Sequence, residues 1–181
     1  MKIDLTEIYK GLAEWRAERG ITAENQKDGY LVNVMEEFGE LASALRDYEK
    51  FSATGQDAAK KQKAEYGIID AFCSISIFIV NTEFTINGGL INKISSFDTD
   101  EYEPSDFDDL HALLYYISQY PIKWEYIYFE EILELIAKIL EVDYSFNFEI
   151  AMLETIKQIS SNTGKEDKVK ADYEKARIAQ C

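Results

Sequence analysis

Met35-Glu36-Glu37-Phe38-Gly39-Glu40-Leu41 places three carboxylates within five residues of a segment otherwise written for helix. On a helix Glu37 and Glu40 stand three positions apart, so their carboxylates converge on a single point. Leu31, Val34, Met35, Phe38, Leu41, Ala42 and Leu45 recur at helical spacing and form one broad apolar stripe, which the periodicity assigns to the core. Beside the stripe runs a narrower line of Asn33, Glu37, Glu40 and Ala44, where Ala44 is small enough to admit a neighbouring helix. Glu36 projects away from that line. Standing alone, such a cluster is a solvated helix face. The next helix changes that.

The segment containing Ile68, Ile69, Phe72, Cys73, Ile75, Phe78, Ile79 and Val80 is apolar nearly all round, which predicts a central helix. One line of it is polar or small: Lys63, Gly67, Asp70, Ser74 and Asn81. An acid in that setting needs either a hydrogen-bond donor, such as Ser74, Lys63 or a tyrosine, or a counter-charge. Two antiparallel helices joined across Thr54-Gly55-Gln56 set the Glu37/Glu40 line against the Asp70 line. Carboxylates on facing helices of a bundle are a known way to build a metal site. Oxygen-only ligation that leaves room for water and phosphate suits Mg²⁺.

Outward from this pair the chain reads as a single all-α domain of 181 residues, with only nine Gly and two Pro to interrupt it. A first helix runs Leu5 to Arg19 and stops at Gly20, and Thr22 caps a short turn after it. The second spans Gln26 to about Phe51 and the third Asp57 to about Glu83. An acidic loop, Asp98 to Asp106, leads into a helix ending before Pro121. Lys123 to Leu140 and Phe146 to about Ser160 give two more, with Asn162-Thr163-Gly164 as a C-cap. The basic tail Lys165 to Arg177 is expected to form a last helix. His111, the only histidine, has no partner motif, and Trp15 shares helical spacing with Leu12 and Ile8, which fits packing.

The net charge of −15 argues against nucleic-acid backbones and anionic membrane as partners, and a phosphate-bearing ligand would need cations between it and the chain. Cys73 and Cys181 make no disulfide framework, and the Met1-Lys2-Ile3-Asp4 start lacks a signal-peptide core, so a cytoplasmic location is expected. Ile68 to Val80 is too short to span a bilayer and carries Asp70, Ser74 and Ser76. The apolar content of these helices predicts surface that a second subunit covers, a homodimer or larger.

Trp15…Arg19-Gly20-Ile21, then Met35-Glu36-Glu37-Phe38-Gly39-Glu40-Leu41-Ala42-Ser43-Ala44, then Asp70 in an apolar helix, resembles the MazG-like all-α nucleoside triphosphate pyrophosphohydrolases. The run Ala151 to Gly164 is similar to the later helix and turn of such proteins. The resemblance covers about residues 5–82 and 143–178, implying an antiparallel helix-bundle core of 5–83 and 143–178 with an inserted helical segment, 84–142. It implies Mg²⁺-dependent cleavage of (d)NTPs to nucleoside monophosphate and pyrophosphate. The family motif is EExxE followed by ExxD. By position Glu37, Glu40 and Asp70 match metal ligands, and Glu37 or Glu40 orients or deprotonates the attacking water. The fourth ligand falls on Gly67, and Glu65 projects too far round the helix to replace it. Asn33 stands where many relatives carry Lys, and together with Asn81 and Lys157 it makes up the substrate-binding candidates. Lys157 and the tail residues Lys165, Lys168 and Lys175 are the cations available to a pyrophosphate leaving group. Gly67 leaves an alternative open: a weakened relative that binds nucleotide or a protein partner without turnover. A helical module with no ligand is the third reading.

Overall fold

A computed structural model describes residues 2–55, 57–86, 96–98, 113, 115–117, 126–161 and 170–178. Helices dominate: α1 (Thr6–Arg19), α2 (Ala23–Thr54), α3 (Ala58–Ile86), α4 (Tyr126–Val142) and α5 (Phe148–Ser161), then a single 3₁₀ turn, Tyr173–Ala176. Residues 113 and 115–117 are also helical, whereas the rest of the 106–120 helix, most of the acidic loop and the 162–164 cap lie outside the described residues. The tail forms a 3₁₀ turn and extended chain instead of the expected helix, as far as 170–178 describes it.

Local signals explain the boundaries. Gly20 closes α1 at φ 59°, a left-handed conformation that costs glycine nothing. The Thr22 hydroxyl accepts from the Asn25 amide and so starts α2 earlier than periodicity alone suggests. Gly55, at φ 61°, ends it. Asn147 caps α5 by accepting from the Ile150 amide at 3.0 Å, which moves the helix start past Phe146. One feature carries no periodic signal: Lys2–Asp4 (β1) pairs antiparallel with Ser96–Asp98 (β2), Ile3 opposite Phe97.

α3 is the centre of the bundle, with Ile68, Ile69, Phe72, Cys73, Ile75, Ile79 and Val80 all buried. By length and composition Ala58–Glu83 is apolar enough to cross a membrane, yet 67 % of that window is buried inside the protein, as in a core helix. α4 contributes Ile132, Leu133, Leu135, Ile136 and Leu140 to the same core. α1 leans on α5 closely enough that a Cβ on Gly11 would stand 3.0 Å from the Ile156 side chain. α2 packs chiefly on α3. Its predicted core stripe is therefore only half buried: Val34 and Leu41 are inside, while Leu31, Met35 and Ala42 face outward. Periodicity finds the apolar arc of a helix but not how many neighbours cover it.

Candidate functional site

The two long helices run antiparallel. Reading along α2 toward its C-terminus, Glu37 meets Ser74 and Asp70, Ala44 meets Gly67 and Phe51 meets Lys60. The register is set where the backbones come closest. A Cβ on Gly67 would lie 3.2 Å from the Ala44 methyl, so the two small residues form a notch that lets the helices approach. Gly67 thus has a packing reason to lack a side chain.

The notch brings the carboxylates of α2 and α3 together. Half-buried Glu37 is pushed up to about 7, first by desolvation, then by the negative charges of Glu40 and Asp70, against a hydrogen bond from Ser74 that lowers it. Glu36 contributes only the smallest part, in keeping with its outward projection. Asp70 accepts a hydrogen bond from the Tyr173 hydroxyl at 2.5 Å. Burial holds the Tyr173 phenol well above its ordinary pKa, so it keeps its proton and donates. Among the described residues no three His, Cys, Asp or Glu side chains already sit as a metal-ligand group. With Glu37 turned to Ser74 and Asp70 to Tyr173, the carboxylates are neighbours in charge but not yet joined on one point. A divalent ion would relieve such repulsion, and an all-oxygen donor set is of the kind that suits Mg²⁺.

Beside them a cleft of about 430 Å³ opens between the helices, with Glu40, Asp47, Phe51, Lys60, Lys63 and Asp70 among its walls. Gly67 is part of the same surface, so the missing carboxylate leaves space and not another acid. Lys60 pairs with Asp57 at 3.0 Å and lies over the Phe51 ring. Glu65 cannot stand in for Gly67, because its carboxylate is bound to the Arg177 guanidinium at 2.8 Å.

The remaining candidates are placed elsewhere. Asn81 is fully buried, its side-chain oxygen accepting from the buried Arg16 guanidinium. Lys157 is exposed on α5 and pairs with Glu154 at 3.7 Å. Neither lines the cleft. Asn33 is half-buried one turn from Glu37, close against Gly29. Lys175 pairs with Glu154 and Asp172, while Lys165, Lys168 and His111 lie outside the described residues. Two contributors escaped sequence reasoning. Lys63 was visible in the polar line of α3 but not as a cleft wall, and a tyrosine donor to Asp70 was among the expectations without anything to single out Tyr173, 103 positions away.

No family model, curated protein or solved structure matches this chain.

Proposed function

We propose that this protein is a MazG-like, Mg²⁺-dependent pyrophosphohydrolase acting on nucleoside triphosphates. The observation that carries the reading is the crowding of Glu37 by Glu40 and Asp70 across the α2–α3 notch, at the edge of a cleft of about 430 Å³. That volume lies within the usual range for small-molecule sites, roughly 300–1,000 Å³. Glu37, Glu40 and Asp70 would hold the ion, which when bound neutralises phosphate charge and polarises the phosphorus. Lys63 and Lys60 line the same cleft and supply positive charge to the phosphate chain. Phe51 offers an apolar surface there. Glu37 or Glu40 would orient the attacking water and accept its proton.

The test is pyrophosphate release from a panel of dNTPs and NTPs with Mg²⁺. Turnover by the wild type that is lost in Asp70→Asn supports the reading; an inert wild type overturns it. A second reading rests on Gly67: a relative that binds nucleotide or a protein partner without turnover. Thermal stabilisation by nucleotide and Mg²⁺ without product distinguishes it. The outward apolar face of α2, with Leu31 at 54 % exposed, Val32 at 62 % and Met35 at 60 %, supports a homodimer or larger assembly. Sedimentation of wild type against Met35→Lys tests it: a wild-type monomer overturns the assembly.

A further inference from the structure

Residues 170–178 lie across the bundle as a strap. The Ala171 amide donates to Gln158 Oε1 at 2.7 Å, the Asn147 amide to the Ala176 carbonyl at 2.7 Å, and the Ile178 amide to the Ser145 carbonyl at 2.7 Å. Arg177 binds Glu65 of α3 at 2.8 Å and stacks over Phe146 at 4.4 Å. Between these anchors Tyr173 turns inward and is 4 % exposed. Its hydroxyl lies 2.5 Å from Asp70 Oδ1 and 2.9 Å from Thr155 Oγ1.

Proton counting fixes the direction of this chain. The Tyr173 hydroxyl donates to Asp70 Oδ1, and a phenol has only one proton to give. Thr155 then directs its own single proton to the Tyr173 oxygen or to the Ala151 carbonyl, 3.0 Å away. Asp70 Oδ1 is thereby tied down and its orientation set, leaving Oδ2 as the oxygen that Tyr173 does not hold. Partners that orient a metal-binding carboxylate in this way are typically worth about 10–100-fold in metal affinity.

We infer that Tyr173 is a positioning residue for the α2–α3 carboxylate site, and that docking of the 170–178 strap and divalent-cation binding at Asp70 favour one another. The inference rests on the cation reading of Glu37, Glu40 and Asp70. By linkage, a cation that prefers the Tyr173-oriented Asp70 must tighten the strap as much as the strap tightens the cation. A tyrosine that merely fills space would alter stability and leave cation affinity alone.

The experiment uses the full chain with Mn²⁺ as probe, in calorimetric titration of wild type, Tyr173→Phe and Thr155→Val, alongside amide hydrogen exchange of 170–178 with and without Mn²⁺. Tyr173→Phe is expected to weaken Mn²⁺ binding by about 10-fold, and Thr155→Val by less, while saturating Mn²⁺ slows strap exchange in the wild type. Binding to Tyr173→Phe within twofold of wild type overturns the positioning role and leaves the cation site standing. A wild type that takes up no Mn²⁺ at millimolar concentration overturns both. Should Tyr173→Phe not fold, exchange decides: strap protection unchanged by Mn²⁺ in the wild type overturns the linkage.

Discussion

The polar line of α3 has two ends that the same helical spacing produces and that behave in opposite ways. At one end Asp70 stands among like charges, held by a neutral phenol and bordering an open cleft. At the other, Asn81 is sealed under α1 and accepts from Arg16, whose guanidinium is itself buried. The first end has surplus negative charge and space. The second brings its cation from within the chain and has no opening. Position on a helix face does not by itself tell a half-open cluster of like charges from a sealed polar pair.

The contrast can be broken from either side. Asp70→Asn should reduce pyrophosphate release by about 10³-fold, equivalent to about 4 kcal/mol of transition-state stabilisation, with little change in melting temperature; steady-state kinetics and calorimetry check both halves. At the sealed end Arg16→Ala should cost about 3 kcal/mol in urea unfolding, because it leaves the buried Asn81 side-chain oxygen without its donor. If Arg16→Ala instead leaves stability intact, the two ends are not different in kind.

Glu37→Gln sharpens the comparison through pH. A carboxyl whose folded pKa is raised to about 7 binds its proton more tightly in the folded chain. Its favourable contribution is present below the unfolded value and is lost as pH rises through about 7. Glu37→Gln should therefore raise stability at pH 8 by about 1 kcal/mol, a figure reduced for solvent screening, and make little difference at pH 4. Melting curves at the two pH values test it. Cation binding near pH 6 should also release a proton from Glu37, seen as a buffer-dependent heat. The smallest effect belongs to Gly67→Ala. The gain in helix propensity, about 0.8–1 kcal/mol, is opposed by a methyl placed 3.2 Å from Ala44, so the net change in unfolding free energy should stay under about 1 kcal/mol.

Much of the helical architecture was legible because its punctuation is local. Gly20, Thr22 and Gly55 act on their own neighbours, so a reader of the chain meets the stop and the start where they operate. The β1–β2 pairing was not legible, since three-residue strands are too short to show alternation. Glu37, Glu40 and Asp70 could be brought together on paper because two antiparallel helices need only one register. Tyr173 could not, because its hydroxyl reaches Asp70 through a strap whose course depends on Ser145, Asn147 and Gln158. Asn81 shared the spacing of the site residues and still belonged to the core, since the deciding residue, Arg16, sits on another helix.

The Gly67–Ala44 notch has one further consequence, for sliding. Gly67 is the only glycine in α3, so a shift of α2 by one turn, about 5.4 Å, would bring Ala44 against Lys63 or Ala71, where no equal gap exists. The notch works as a detent: it holds the hairpin at the single alignment in which Glu37 and Asp70 are neighbours, and a bulky residue there would disengage the two helices before any acidic residue was touched.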